Sequence, residues 1–128
     1  MLDLTSYGDI VHTHRGQGQI TFPLGGRIQC YFALAEYSTG KRLLTCTGRF
    51  PKAGYASWER LVSQYQVDPH LPAAQKRWLA ERYEGRTDDD RQLKIQQMFL
   101  IHAQASDIAQ KTLTLQMQFE CQDATLLP

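Results

Sequence analysis

Between Arg27 and Phe50 the chain alternates so strictly that few folds can accommodate it. In RIQCYFALAEY, Ile28, Cys30, Phe32 and Leu34 fall on one face, while Gln29, Tyr31, Ala33 and Ala35 fall on the other. In KRLLTCTGRF, Leu44, Cys46, Gly48 and Phe50 share a face. A period of two marks a strand with one buried side. Ser38-Thr39-Gly40 joins the two runs, and a three-residue hairpin loop favours Gly at its positive-φ position. The register this loop implies sets Leu34 opposite Leu44, Phe32 opposite Cys46, Cys30 opposite Gly48 and Ile28 opposite Phe50. Glu36 then faces Arg42 at the mouth, a favourable cross-strand pair. A slip by one residue would set Leu34 against Thr45 and mismatch the faces.

A chain of 128 residues is expected to form one domain, 1–128, with a core large enough to need no metal or disulfide staple. Basic and acidic residues number 14 and 13, a net charge of +1, so charge alone calls for neither nucleic acid nor a membrane. The opening MLDLTSYGDIV has no basic n-region and no apolar run, so no signal peptide is expected, and no stretch reaches the length of a spanning helix. Three cysteines without CxxC spacing sit inside strand patterns, where a free thiol acts as a small hydrophobe. Reduced, buried thiols and a cytoplasmic location follow as expectations.

Around the hairpin, Asp9–His14 reads as a short strand with Ile10, His12 and His14 on one face. Arg15-Gly16-Gln17-Gly18 reads as a turn, Gln19–Phe22 as a second short strand, and Pro23–Gly26 as a break. If the two short strands are halves of one bent strand, the order becomes three strands, helix, two strands, as in the OB barrel. After Pro51–Tyr55, Ser57 suits an N-cap, and Trp58, Leu61, Val62 and Tyr65 recur at helical spacing to about Gln66. A second helix is expected from Pro72, with Gly85 as its stop. Gly85–Asp90 reads as an exposed connection. Arg91–Ala105 alternates as a strand if Leu93, Ile95, Phe99, Ile101 and Ala103 share a face. Lys111–Cys121 is a strand with Leu113, Leu115, Met117, Phe119 and Cys121 inward, and Asp123–Pro128 a frayed tail. The fold class expected is α+β: an antiparallel β-meander, as a curled sheet or OB-like barrel, with a two-helix insertion before the C-terminal strand pair.

Three surfaces suggest function. His12 and His14 share a strand face at i and i+2, a spacing that lets two imidazoles reach one metal. A third ligand would have to come from His70, His102, Asp9 or Cys121, and a surface pair is the plainer reading. Tyr31, Tyr37, Arg42, Arg49, Lys52 and Tyr55 combine aromatic rings with basic groups on and after the hairpin, the mixture that single-stranded nucleic acid requires, with Arg15 among the basic residues that would extend it. Tyr31, Ala33 and Ala35 form a semi-apolar face open to a protein partner or a second copy, and edge strands are templates for pairing. No GxSxG elbow, acidic pair or phosphate loop is present. The sequence therefore reads first as a small non-enzymatic binding or interaction module using the outward hairpin face and the following loop, with a protein partner or homo-oligomer. A single-stranded nucleic-acid binder comes next, and a metal-dependent hydrolase at His12 and His14 third. No cofactor and no membrane association are implied.

Overall fold

The computed structural model describes residues 4–21, 27–72, 83–95, 98–109, 111–121 and 124–127. Eight strands form one sheet: β1 (Ile10–Thr21), β2 (Arg27–Tyr37), β3 (Arg42–Pro51), β4 (Tyr83–Thr87), β5 (Gln92–Ile95), β6 (Met98–Ala109), β7 (Thr112–Cys121) and β8 (Ala124–Leu127). The described residues contain one α-helix, α1 (Tyr55–Tyr65), between β3 and β4. The strand order is β6-β7-β3-β2-β1-β4-β5-β8, and every pairing is antiparallel. Ile95 faces Ala124 and Met98 faces Cys121, so the β5–β8 and β6–β7 ladders share one register. The sheet curls into a half-barrel.

The central hairpin has the expected register: Cys30–Gly48, Phe32–Cys46, Leu34–Leu44 and Glu36–Arg42. Gly40 takes φ 88° in its loop. The ladder between β2 and β3 stops at Cys30–Gly48, without the expected Ile28–Phe50 pair. Ile28 instead covers Gly48, where an added Cβ would lie 2.9 Å from its Cγ2.

The concave side holds the main core. Ile28, Cys30, Phe32, Leu34, Leu44 and Cys46 bury their side chains there with Leu113, Leu115, Met117, Phe119 and Cys121 of β7. Trp58 and Leu61 of α1 join them. The helix thus covers the face carrying the cysteines and leaves the Tyr31 face outward. It begins at Tyr55 with Gly54 at the N-cap, not at Ser57, and the Phe50 ring packs where a residue-54 Cβ would be, 2.7 Å away.

Further sequence expectations change. Arg15–Gly18 is not a turn: β1 runs unbroken through it. Gly16 and Gly18 point to the concave side, opposite Phe32 and Cys30, and there β4 lies against them. A Cβ on Gly16 would strike the Arg86 carbonyl oxygen and come within 2.7 Å of Thr87 Cα; one on Gly18 would lie 2.6 Å from Gly85 Cα and from the Tyr83 hydroxyl. Glycines at this corner let the sheet bend sharply, and the Tyr83 ring packs edge-on to Phe32 at 5.5 Å. The second helix falls on residues 73–82, outside the described residues, but its expected end is wrong. Tyr83 and Gly85 pair with Ile20 and Gly18 in β4, and the exposed connection shrinks to a tight turn after Thr87.

Within 91–105 the described residues from Gln92 onward are strand, but their faces switch. Leu93, Ile95, Met98 and Leu100 lie in the main core, while Phe99 and Ile101 lie on the opposite side. A register shift between Leu100 and His102 inserts one residue, after which Ala103 and Ala105 return to the core side. The tail is not frayed as expected: Ala124–Leu127 pairs with β5. No helix among the described residues is long and apolar enough to cross a membrane.

Candidate functional site on the outer sheet face

Alternation along β1, β2, β3 and β7 sends a second set of residues outward. At one level Gln17 faces Tyr31, Tyr31 faces Thr47, and Thr47 faces Gln116. Tyr31 is 67% exposed. A depression of about 660 Å³ on one side of its ring is lined by Gln17, Gln29, Thr47, Arg49 and Thr114 among others. On the other side a depression of about 390 Å³ is lined by Arg15, Ala33, Thr45 and Asp88. The outer face beside it on β3, β7 and β6 is polar: Gln118 Nε2 donates to Thr45 Oγ1 at 3.4 Å, and Gln104 Nε2 to Gln116 Oε1 at 2.8 Å. The site is therefore an open aromatic ridge with amides, hydroxyls and one guanidinium on each flank.

Of the six binding residues expected from sequence, the structure brings two together, Tyr31 and Arg49. Tyr37 is outward in parity but buried. The N-terminal 3-10 turn Thr5–Tyr7 folds over it, with Tyr7 edge-on at 5.3 Å, in a small outer cluster with Leu43, Phe99 and Ile101. Thr39 Oγ1 donates to the Tyr7 carbonyl at 2.5 Å and Ser38 N–H to that of Asp9 at 2.7 Å, tying the turn to the hairpin loop. Lys41 closes the same end by pairing with the buried Glu120 carboxylate at 2.8 Å. Arg42 belongs to the concave parity, 3.9 Å from Glu36. Lys52 and Tyr55 lie past the end of β3, in the 3-10 turn and at the start of α1. The Tyr55 hydroxyl donates to Glu59 at 3.0 Å, and that bond raises its pKa. Gln17, Gln29, Thr47 and Thr114 complete the site and were not expected, and Arg15, expected only as an extension of the basic surface, lines it directly.

His12 and His14 do meet, with ring centroids 4.2 Å apart, and His14 Nε2 lies 3.7 Å from Glu36 Oε1. Among the described residues no three His, Cys, Asp or Glu side chains are grouped to hold a metal, so the third ligand the motif needs is not beside them. His14 is 10% exposed. Its pKa falls below the ordinary 6.5, first through burial and then through His12, while Glu36 opposes the shift. Stability should therefore be unaffected by this group well above pH 6.5 and should decline as pH falls through that value, where the unfolded chain takes up the proton first. His14→Gln is expected to flatten the urea-midpoint profile in this window; an unchanged profile counts against the burial of His14.

The thiols suit packing rather than nucleophilic chemistry. Burial pushes Cys46 well above the ordinary thiol range and Cys121 up to about 12. Cys30 is lowered, chiefly by a hydrogen bond from Cys46, and its Sγ sits 3.9 Å from the Tyr83 hydroxyl. No protein-family model matches this sequence, and searches of curated proteins and of solved structures return no significant match.

Proposed function

We propose that this chain is a non-enzymatic binding module that takes an extended ligand across the outer face of β1, β2, β3 and β7. The observation that carries this is Tyr31, a large aromatic ring two-thirds exposed at the middle of a sheet and flanked by a depression on each side. A single ring surrounded by Gln, Thr and Arg offers little apolar area to a protein partner, whose footprint needs an apolar centre. It suits a ligand with flat rings and charged links.

Single-stranded nucleic acid is the ligand class with most support. Arg49 stands in one depression and Arg15 in the other, so a base stacked on Tyr31 would have a guanidinium on each side for its flanking phosphates. From the register, Arg15 and Arg49 are separated by about 13 Å along the strands and about 10 Å across them, room for a short run of nucleotides. Lys52 extends the basic track beyond β3. The order of three meandering strands, a helix and further strands agrees with the OB barrel, a fold used for single strands, although that analogy rests on element order.

The test is fluorescence anisotropy with a labelled oligonucleotide at several salt concentrations. Tyr31→Ala should weaken binding roughly 5–150-fold, the worth of one stacked base, while leaving stability within about 0.5 kcal/mol because the ring is exposed. Arg15→Ala and Arg49→Ala should each lower the salt slope by about one. Binding that ignores all three substitutions, or none at low salt, would sink this reading.

A further inference from the structure

β6 closes one end of the strand order, and its outer edge is lightly guarded. Val67 N–H donates to the Leu100 carbonyl at 2.9 Å; beyond that point the described residues give this edge no backbone partner. Register shifts between Leu100 and His102 and between Asp107 and Ala109 bracket a regular stretch, His102–Asp107. From Met98 to Ser106 the sequence MFLIHAQAS has no charged residue, no Pro and no Gly. Edge strands are ordinarily protected by Lys, Pro or bulges, and His102–Ser106 contains none of the three.

The regular stretch is also close to its own reverse. His-Ala-Gln-Ala-Ser reads nearly the same in both directions about Gln104. Two copies laid antiparallel with Gln104 on the dyad set Ala103 against Ala105 and His102 against Ser106. Ala103 and Ala105 lie on the core side, so small side chains meet there. Gln104 lies on the outer side and is already bonded to Gln116, so the dyad would continue a row of amides through four strands. A self-complementary patch is what a two-fold contact demands, and no like charges oppose each other across it.

We propose that a second copy of this chain pairs with His102–Ser106 of β6, forming an antiparallel two-fold dimer with a continuous sheet. The dyad stands perpendicular to the sheet, so both Tyr31 faces lie on the same side. The dimer itself does not depend on what those faces bind.

Sedimentation equilibrium of the full chain tests this. The unaltered protein should dimerise with a salt-resistant mass of two chains. Gln104→Lys and Gln104→Glu each place like charges on the dyad and should raise the dimer dissociation constant about ten-fold or more. Mixing the two variants should restore the dimer. Tyr31→Ala, three strands inside on the same face, should leave the dimer intact. A monomer at submillimolar concentration, or a dimer indifferent to both Gln104 variants, would overturn the proposal. So would variants that weaken the dimer but fail to rescue each other when mixed.

Discussion

Gly16→Ala is expected to destabilise the fold by about 3–5 kcal/mol, a large part of the stability a domain of this size has. The new methyl would meet backbone, not a yielding side chain: the Arg86 carbonyl oxygen and Thr87 Cα, the latter 2.7 Å away. Relief requires β4 to move off β1, which breaks the Gly16–Thr87 and Gly18–Gly85 pairings and lifts Tyr83, fully buried, from its place against Phe32. Gly40→Ala separates space from backbone strain. Gly40 has φ 88° but nothing within 4 Å of a Cβ, so only the left-handed conformation is penalised, at about 1–2 kcal/mol. Urea denaturation of both variants makes the comparison. Equal losses would mean that β4 does not press on β1 as described.

The same glycines show why this part of the fold was not legible. Within Arg15-Gly16-Gln17-Gly18 every local signal favours a turn, because glycine most often punctuates a chain. The cause of these glycines is instead a strand about seventy residues further on. β4 was hidden for the same reason: YEGRT reads as a helix end and an exposed connection until Tyr83 and Thr87 are seen to face inward against Gly18 and Gly16. In β6 the alternation was real, but one inserted residue exchanged its faces, and a bulge leaves little trace in a hydrophobic pattern. The hairpin was legible because loop chemistry and alternation are both local, and each fixes the same register.

The outer face was half legible. Parity alone put Tyr31 outward, and none of the described residues folds over it. Tyr37 shares that parity, yet residues 4–7 and 99–101 cover it, and no periodicity within β2 reports a cover so distant in sequence. Arg42 is a different case, because its signal was present: the register that sets it opposite Glu36 also places it on the Leu44 face. A turn at Arg15–Gly18 would give Gln17 no face and leave Arg15 only an extension of the surface, whereas the unbroken β1 sets both beside Tyr31. The structure thus replaces Tyr37 and Arg42 with Arg15 and Gln17 beside the same ring.

Phe119→Ala should cost about 3–5 kcal/mol, measured as a lower urea midpoint with an unchanged slope. Phe119 sits at the centre of a cross-sheet row in which Leu34 faces Leu44, Leu44 faces Phe119, and Phe119 faces Leu100. All four are fully buried. The ring links the central hairpin to β6, so its loss removes apolar burial and leaves a cavity between strands whose spacing is fixed by backbone hydrogen bonds and does not collapse readily. Gln118→Ala, one residue away on the outer face, removes a 3.4 Å side-chain bond to Thr45 and should cost about 1 kcal/mol or less. The contrast between adjacent positions tests the parity of β7, on which the core and the outer face both depend. Similar losses at 118 and 119 would mean that β7 does not separate the two faces, and the Tyr31 surface would have to be redrawn with it.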